Sequence, residues 1–385
     1  MTIAVIGGGI AGLSLALCLA RRGVEAHVFE RAPEVREAGA GVSLWPNATR
    51  LLRQWGLLDR CLELAAPLSV LELRSRHAGV FLRTEVDRSD SPTLCMRRPE
   101  LLAALLSQVP SDAIHVQHNC TSVFEADGHM GVTFERQGTK LFDAVVGADG
   151  LRSAVRKYVA PDAGQPVSRG YACWRGIAEL SLPQSTLGKM SETWGQGRRL
   201  GILPIVPGTV CWYATVNRPI PESATPLALF AGWPEPIESL IRATPPPLLI
   251  ESDATDLPRL SRWSRSRAVL IGDAAHAITP NLGQGCCLAL EDASVLARLL
   301  SEPASPTAAR DSLGRAFEAF ARLRKGRIER IVALSRWLGA VVQLDGQWAA
   351  GRDRATPLVA KPVFELLVRS IHAWRDRSAS APASG

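Results

Sequence analysis

The sequence predicts an α/β fold that combines a parallel sheet, a separate antiparallel sheet and C-terminal helices. The chain opens with the strand-like run TIAVI (2–6), a glycine-rich turn, a helical segment and a second strand, VEAHVFE (24–30). This order predicts a parallel sheet, because a helix that connects parallel strands packs back on the sheet in a right-handed crossover. Tryptophan-bearing strands between 170 and 220 indicate an antiparallel sheet. The apolar run RAVLIGDAA (267–275) then returns the chain to the parallel sheet.

Apolar periodicity and turn residues predict the other elements. They are two helical pieces over 45–64 broken at Gly56, a helix that opens at Pro99, strands over 69–94, loops and short helices over the proline-rich segment 219–258, and helices near 283–300 and 308–337.

The composition is typical of a globular protein from a reducing compartment. Of 385 residues, 46% are hydrophobic and 21% are charged. The eight cysteines include no C-x-x-C pair, and Cys286 and Cys287 are adjacent, so we expect structural thiols and a cytoplasmic location. The most apolar long segment, 332–344, contains Arg336 and is too short to cross a bilayer.

The net charge of +7 favours anionic ligands. The basic residues are mostly scattered arginines, with only short clusters such as RLRKGR (322–327). No zinc-ligand spacing and no RNA-binding aromatic motif accompanies them, so we expect neither a metal site nor a nucleic-acid partner. The sequence also lacks a nucleophile elbow with a Ser-His-Asp order, which argues against a hydrolase.

The turn GGGIAG (7–12) has the form G-x-G-x-x-G, with its glycines at Gly7, Gly9 and Gly12. It follows a strand and opens a helix, where bare backbone amides and a positive helix end favour a pyrophosphate. Eighteen residues beyond Gly12, Glu30 ends the second strand, where a carboxylate can accept hydrogen bonds from ribose hydroxyls. An acid there favours NAD or FAD over a ligand with a 2′-phosphate. The alternative is a tight turn beside a surface glutamate.

A second motif, GADGLRSAVR (147–156), places an acid and a glycine at the end of a strand. Ser153 is a candidate cap for the helix that follows. Taken alone, the motif fits a capped helix as well as it fits a binding site.

A third motif, GDAAHAITPNLGQG (272–285), follows a buried strand. Asp273 can accept a hydrogen bond from a sugar or ribityl hydroxyl, and Gly283-Gln284-Gly285 offers amides at a helix start. We favour a structural role for His276 over a role as a base. We expect the following acids, Glu291 and Asp292, to cap or pair locally.

In this order, the motifs resemble the FAD-dependent aromatic hydroxylases, the single-component flavoprotein monooxygenases of para-hydroxybenzoate hydroxylase type. The chain is most similar to the branch that holds salicylate, 3-hydroxybenzoate and urate hydroxylases and zeaxanthin epoxidase. The similarity covers residues 3 to about 300, and it is carried by GGGIAG, Glu30-Arg31, GAGVSLWPNA (39–48), MRRPELLAAL (96–105), GADGLRSAVR and GDAAHAITPNLGQG…ED.

The resemblance implies a Rossmann-like domain with tightly bound, non-covalent FAD, and it assigns a role to each matching position. The implied FAD contacts are Gly7, Gly9, Ala11 and Gly12 at the pyrophosphate, Glu30 and Arg31 at the adenosine, Ser43 and Arg98 at the middle, the backbone of Val123 at the adenine, Asp149 in a motif used for FAD and NAD(P)H, Asp273 at the ribityl chain and phosphate, and Gly283, Gln284, Gly285 and Cys286 at the flavin ring.

The predicted elements, the composition of the tail and the resemblance together suggest a division of the chain. We expect a discontinuous FAD-binding domain (1–68, 95–168 and 259–305), a substrate domain (69–94 and 169–258), a C-terminal helical region (306–375) and a disordered tail (376–385).

The implied reaction uses NAD(P)H and O2 to hydroxylate a small aromatic or heteroaromatic substrate through a flavin C4a-hydroperoxide. The chain has one dinucleotide fingerprint, so NAD(P)H would bind transiently as a co-substrate. Pro280 and the following amides would line the flavin face. Two alternatives stay open: an epoxidase or reductase that acts on an isoprenoid or alkene, and a flavin-binding sensor without enzymatic activity. A homodimer also stays open.

Substrate contacts are expected on the second sheet, at Trp174, Arg199, Cys211 and Trp212. Arg199 matches the GxGxR segment of the urate hydroxylases and could pair a carboxylate or phenolate; a surface arginine is the alternative. Those relatives carry an acid where this chain has Asn281 and an aromatic where it has Cys211, which argues against urate. No base for a phenol is evident, so an apolar aromatic, a quinoline or an alkene stays open.

Overall fold

The computed structural model describes residues 1–35, 39–77, 79–86, 91–302, 312–372 and 374. Within these ranges the α-helices are α1 Ile10–Ala20, α2 Pro46–Gln54, α3 Leu58–Leu64, α4 Arg98–Leu106, α5 Ala154–Val159, α6 Pro226–Leu229, α7 Ile237–Arg242, α8 Asp273–His276, α9 Gly285–Ser301, α10 Ser312–Val342 and α11 Gly346–His372.

The strands of the same ranges are β1 Thr2–Ile6, β2 Glu25–Phe29, β3 Gly41–Leu44, β4 Pro67–Leu68, β5 Val70–Ser75, β6 Gly79–Glu85, β7 Thr93–Arg97, β8 Ile114–His115, β9 Cys120–Ala126, β10 His129–Phe134, β11 Gly138–Phe142, β12 Ala144–Gly147, β13 Val167–Glu179, β14 Lys189–Trp194, β15 Arg198–Val206, β16 Thr209–Asn217, β17 Ile250–Asp256, β18 Ser264–Arg265 and β19 Ala268–Leu270.

Two large sheets organise the molecule. A six-stranded sheet has the order β18-β19-β12-β1-β2-β8 and is parallel except for the edge strand β18. A seven-stranded sheet has the order β17-β13-β16-β15-β14-β5-β6 and is antiparallel except for the pair β5–β14. The smaller sheets are β11-β10-β9 and β3-β7-β4. The structure confirms the predicted α/β fold.

The parallel sheet brings the sequence motifs to one edge. Strands β19, β12, β1 and β2 are neighbours that run in the same direction. Beyond their carboxyl ends the chain continues into Asp273, Asp149, Gly7 and Glu30, respectively. Open α/β sheets bind ligands at this edge, so the fold itself positions the site.

Helix α1 anchors the first motif in the core. Nine of its eleven residues are buried, and it packs against α9. Burial of each leucine in α1 stabilises the fold by roughly 1.5–3 kcal/mol relative to an exposed side chain. The start of α1 is therefore held by the packing of the whole helix.

The seven-stranded sheet has two different faces. On one face, Trp174 and Trp212 pack with Phe230 and Trp233 in a separate apolar cluster. The other face turns toward the parallel sheet and carries both polar and apolar side chains. Because side chains alternate along a strand, neighbouring residues of β16 lie on opposite faces.

Two elements depart from the sequence pattern. The segment 250–256, predicted to lie among loops and short helices, forms the edge strand β17. Its acids are unfavourable in a strand, but arginines from other segments of the chain pair with them. Helix α11 contains Pro357 and Pro362, although a proline inside a helix removes a backbone hydrogen bond.

The predicted tail 376–385 lies outside the described residues. In the described ranges, every helix falls short of what a membrane crossing requires.

Candidate active site

A cavity of about 720 Å³ lies between the carboxyl edge of the parallel sheet and the seven-stranded sheet. Its wall joins segments from the start, the middle and the end of the chain. The predicted cofactor residues on this wall are Gly9, Ala11, Ser43, Arg98, Asp273, Gly283, Gly285 and Cys286.

The first turn requires glycine for steric reasons. Gly7 has a φ of +109°, and a Cβ there would lie 2.4 Å from the carbonyl oxygen of Ala148. A Cβ at Gly12 would lie 1.9 Å from the carbonyl oxygen of Gly7. Helix α1 begins with no side-chain cap and no acid in its first turn. Its positive end is open to an anion, which fits a pyrophosphate.

Glu30 is fixed beside this turn by backbone donors. Its carboxylate accepts hydrogen bonds from the amides of Gly8, at 2.8 Å, and Ala32, at 2.9 Å. A carboxylate has about four acceptor positions, so these two contacts leave capacity for a ribose hydroxyl. Arg31, next in the chain, is exposed.

The second motif caps one helix and braces the third motif. Asp149 Oδ2 accepts from the amide of Ala154 at 2.7 Å, and Ser153 Oγ accepts from the amide of Arg156 at 2.9 Å, as the sequence predicts for a cap. The Arg156 guanidinium donates to the carbonyl oxygen of Ala274 at 2.9 Å. Burial raises the pKa of Asp149, and its Oδ1 is buried without a hydrogen-bond partner among the described residues.

The third motif presents a second open helix end. Gly272, with a φ of +57°, packs against Ala11, whose Cβ would lie 2.9 Å from a Cβ at Gly272. Asp273 follows on the cavity wall. Gly283 adopts a left-handed conformation with a φ of +61°, and α9 then starts with no side-chain cap and no acid in its first turn. Two uncapped helix ends therefore border one cavity, which fits a long ligand with charged and polar parts.

The remaining predicted cofactor residues do not line the cavity. Val123 is buried in β9 and pairs with Val132. Gln284 is buried, and its Oε1 accepts from Asn47 Nδ2 at 3.0 Å. The predicted cofactor residues that do not line the cavity are Gly7, Gly12, Glu30, Arg31, Val123, Asp149 and Gln284.

Alternate residues of the seven-stranded sheet reach the cavity, as the two-residue period of a strand requires. The side chains spaced in this way are Leu71 and Leu73 of β5, Cys173 and Arg175 of β13, Met190, Glu192 and Trp194 of β14, and Cys211, Tyr213 and Thr215 of β16.

Glu192 is the centre of a buried polar network at the cavity wall. Its Oε1 accepts from Trp194 Nε1 at 2.5 Å, and both carboxylate oxygens lie 3.0 Å from Arg199 Nη1. Its Oε2 also accepts a hydrogen bond from the hydroxyl of Tyr213. A Cβ at Gly201 would lie 2.2 Å from the Tyr213 ring, so the glycine makes room for the ring.

Arg199 has its charge balanced within the protein. It is 1% exposed, does not border the cavity, and pairs with Glu192. It also donates to Thr215 Oγ1 at 3.2 Å and to Asn281 Oδ1 at 2.5 Å. Burial lowers the pKa of Arg199, but Glu192 outweighs this and raises it above its usual value. The structure thus gives Arg199 an internal partner in place of the predicted substrate carboxylate.

Asn281 ties the third motif to the sheet. Besides accepting from Arg199, its amide donates to the Tyr171 hydroxyl at 3.0 Å and to the carbonyl oxygen of Ser335 at 2.8 Å. Pro280 precedes it on the cavity wall. Burial raises the pKa of Tyr171, so this hydroxyl stays neutral.

The predicted tryptophans do not present their side chains to the cavity. Trp174 belongs to the cluster on the other face of the sheet. Trp212 borders the cavity, but its ring lies in that same cluster and its Nε1 donates to Thr244 Oγ1 at 2.7 Å. Cys211 lies on the cavity side, where a hydrogen bond with Cys95 lowers its pKa. The predicted substrate residues therefore lie on both faces of the sheet. Cys211 and Trp212 are adjacent in β16, and adjacent residues of a strand point to opposite faces.

The C-terminal helices supply an apolar wall opposite the polar sheet residues. Three residues of α10 and eight residues of α11 line the cavity, and most of them are apolar. They are Trp337, Leu338, Val341, Thr356, Val359, Ala360, Val363, Phe364, Leu367, Val368 and Ile371.

His276 is held in a buried ionic cluster. Its Nε2 lies 2.6 Å from Asp292 Oδ2, and its ring stacks on Trp263. Asp292 and Glu291 also pair with Arg324 of α10 at 2.7 and 2.6 Å. The geometry matches the structural reading of His276. The prediction of local pairing for the two acids is wrong, because both are fully buried and join α9 to α10.

The sequence interpretation missed several residues on the wall, chiefly Glu192, Tyr213, Thr215 and the apolar residues of α10 and α11. The two-residue alternation of β16, C-W-Y-A-T, was a usable signal for Tyr213 and Thr215, since both share a face with Cys211. Across the described ranges, no group of three His, Cys, Asp or Glu side chains is placed to hold a metal ion.

Comparisons with known proteins agree with this geometry. A family model described as FAD binding domain matches residues 1–194 and 247–331. The aurachin C monooxygenase/isomerase of Stigmatella aurantiaca is 35% identical over 364 residues, 90% of each chain. The 2-heptyl-3-hydroxy-4(1H)-quinolone synthase of Pseudomonas aeruginosa is 36% identical over 362 residues, 91% of each chain.

A solved structure shares the fold and carries the cofactor. Klebsiella pneumoniae HpxO, complexed with FAD and uric acid, superposes with a TM-score of 0.85 at 26% identity over 96% of each chain. Three features of this chain fit FAD as well. They are the glycine-rich turn at 7–12, the two uncapped helix starts, and the buried Asp149 Oδ1, which has no hydrogen-bond partner among the described residues. The chain belongs to the FAD-dependent monooxygenases of the aromatic hydroxylase family, with FAD as its cofactor.

Proposed function

We propose that the protein uses NAD(P)H and O2 to hydroxylate an aromatic heterocycle that carries an apolar chain, such as a 2-alkyl-4-quinolone. The observation that supports this proposal most directly is the dual lining of the cavity. Tyr213 and Thr215 offer polar contacts to a heteroaromatic ring, and the apolar wall of α10 and α11 suits an alkyl chain. One relative is named for a 2-heptyl-3-hydroxy-4(1H)-quinolone, which has both parts.

In this proposal the carboxyl edge of the parallel sheet would hold the cofactor. The turn of Gly7, Gly9, Ala11 and Gly12 would bind the pyrophosphate at the start of α1, and Glu30 would bind the ribose. Further contacts come from Arg31, Ser43, Arg98, Val123, Asp149, Asp273, Gly283, Gln284, Gly285 and Cys286. FAD supplies the reductive activation of oxygen when it is bound.

The protein's own residues hold and shield the reactants. Pro280, Gly283, Gly285 and Cys286 border the cavity where the flavin ring would lie, and Asn281 fixes this loop to the sheet. Arg199 acts through Glu192 and Asn281 and positions both. The apolar wall excludes water from the reacting ring. NAD(P)H binds transiently, since FAD takes the one dinucleotide fingerprint.

Sheet membership supports the proposed domains. Strands β5 and β6 lie early in the chain, but they belong to the seven-stranded sheet together with β13 to β17. We therefore retain 69–94 and 169–258 as the substrate domain, and 1–68, 95–168 and 259–305 as the FAD-binding domain.

The test compares NAD(P)H oxidation and oxygen uptake by the FAD-loaded enzyme with and without 2-heptyl-4(1H)-quinolone. We expect the quinolone to accelerate both, and the product to gain one oxygen atom by mass spectrometry. The apolar wall also suits an isoprenoid, so an alkene epoxidase is the second candidate. Acceleration and oxygen insertion with a hydrocarbon alkene such as farnesene, but not with the quinolone, would establish that candidate instead.

A further inference from the structure

We infer that Tyr213 is a specificity-determining residue whose hydroxyl accepts a hydrogen bond from a ring N–H or O–H of the substrate. This inference rests on the proposed function and deepens it, because it states which chemical group the aromatic substrate must present. It follows from how the hydroxyl is already engaged inside the protein.

The Tyr213 hydroxyl has one hydrogen, and Glu192 takes it. The hydroxyl donates to Glu192 Oε2, and Glu192 itself is paired with the Arg199 guanidinium. Beside that cation, the carboxylate is the acceptor in each of its contacts. A hydroxyl whose hydrogen is committed offers a ligand only its oxygen lone pairs.

Glu192 has no equivalent capacity left. Its Oε1 accepts from Trp194 and Arg199, and its Oε2 accepts from Tyr213 and Arg199. These contacts use the four acceptor positions of a carboxylate. Both residues border the cavity, and of this linked pair only the Tyr213 oxygen therefore has acceptor capacity left for a ligand.

The surroundings keep this arrangement fixed. Burial, and then the neighbouring Glu192 charge, raise the pKa of Tyr213 well above its usual value, so the hydroxyl keeps its proton. The Arg199 guanidinium lies 5.6 Å from the centre of the Tyr213 ring, and Gly201 leaves the space that the ring fills. A substrate that brings an acceptor to this oxygen leaves two lone pairs facing each other, and one that brings a donor satisfies it.

The 4-quinolone ring fits this requirement through its N–H group, whereas an alkene has no comparable donor. The matched probe is 2-heptylchromone, which replaces the ring N–H by an oxygen atom and keeps the shape. Binding of each compound to the oxidised, FAD-loaded enzyme is measured by calorimetric titration, which needs no turnover. We expect the wild type to bind the quinolone roughly tenfold or more tightly than the chromone.

Two variants separate recognition from structure. In Tyr213→Phe the ring remains and the acceptor is lost, so we expect the affinity ratio to fall to within about threefold. In Glu192→Gln the amide can donate to the Tyr213 oxygen, which frees the hydroxyl hydrogen to donate to the chromone; we expect chromone affinity to rise. A merely structural role for Glu192 would weaken both compounds alike.

The control is a second tyrosine–glutamate pair in the same chain. Tyr158 donates to Glu125 at 2.5 Å, and neither residue borders the cavity. Tyr158→Phe is expected to keep the wild-type ratio. The inference is overturned if the wild type binds both compounds equally or binds neither, or if Tyr213→Phe keeps the full preference. The turnover assay reports on the proposed function independently, because it scores oxygen insertion and not this ratio.

Discussion

Arg199 shows how a buried partner changes the role assigned to a single residue. On sequence alone, an arginine on a substrate-facing strand is a candidate for binding an external anion. In the structure, Glu192 on the neighbouring strand already balances its charge. The pairing depends on strand register, which places Trp194 opposite Arg199 and brings Glu192 within reach. Register is a tertiary property that the local sequence does not state.

Replacing Arg199 with methionine should therefore destabilise the fold. The change leaves Glu192 as a buried carboxylate without its cation, and breaking a buried pair in this way costs about 3–5 kcal/mol. Urea unfolding of the two proteins measures the difference. The matched control is Arg198→Met, which removes a half-buried neighbour that donates to the carbonyl oxygen of Leu229. Equal, small effects of both changes would contradict the internal role of Arg199.

Asp273 and His276 are three residues apart but should respond differently to substitution. Asp273 lies on the cavity wall, so Asp273→Ala should sharply lower FAD affinity with little change in folding. His276→Ala should lower stability by about 2–4 kcal/mol, because it removes a buried partner of Asp292 and the stack on Trp263. FAD released per folded protein, together with urea unfolding, separates the two. Equal losses of FAD would overturn the structural role of His276.

At the element scale, the glycine turn before α1 is the part of the site that the sequence predicts best. Its pattern is local, because a Cβ at Gly7, Gly8 or Gly12 would meet atoms within a few residues or at an adjacent strand end. The start of α9 is also predicted from a local pattern, in which Gly283 adopts a left-handed conformation. By contrast, β17 and α11 are stabilised by distant partners. The acids of β17 and the prolines of α11 oppose the elements they form, so local propensity misleads there.

Gly12→Ala should abolish FAD binding. The new methyl would meet the carbonyl oxygen of Gly7 at 1.9 Å, so the turn must open and the amides lose their alignment. The control is Gly326→Ala in α10, where no atom lies within 4 Å of the added carbon. That change should stabilise the helix by about 0.5–1 kcal/mol. Fluorescence titration measures the FAD affinity of both variants. An unchanged FAD affinity in Gly12→Ala would contradict the steric role of Gly12.

The ionic cluster between α9 and α10 should make stability depend on acid pH. Burial raises the pKa of Asp292, but His276 and Arg324 outweigh it and hold the folded-state pKa below its usual value. This stabilisation is present above the unfolded pKa of about 3.9 and is lost as pH falls below it. Asp292→Asn should lower stability at neutral pH and show a shallower decline in acid. Parallel pH profiles of unfolding free energy would contradict this.

On the scale of the whole molecule, the cavity exists only because distant segments converge on it. The order of the parallel strands places the three motifs at one edge, and a right-handed β–α–β start makes that edge predictable. The residues of the substrate end were harder to predict, because they depend on which sheet face meets the cavity and on how α10 and α11 close it. The sequence thus predicts the cofactor half of the site better than the substrate half.

Because the site is assembled from distant segments, FAD should bind only the folded protein and should therefore stabilise it. A ligand that binds only the folded state adds RT ln(1 + [L]/Kd), or about 2.7 kcal/mol at a hundredfold excess over Kd. We expect FAD to raise the unfolding midpoint of the apoprotein in a concentration-dependent way. Gly12→Ala provides the control and should show no shift. An unfolding midpoint that does not change with FAD concentration would mean that the segments do not form one binding site.

Electron density for crystals of the FAD-loaded protein tests the central claim most directly. The expected density shows one FAD per chain, with its pyrophosphate at the start of α1 and its ring system beside Pro280 and Gly285, on the side of the cavity that Tyr213 faces. A cofactor bound elsewhere, or a cavity filled by the protein's own side chains, would contradict the account.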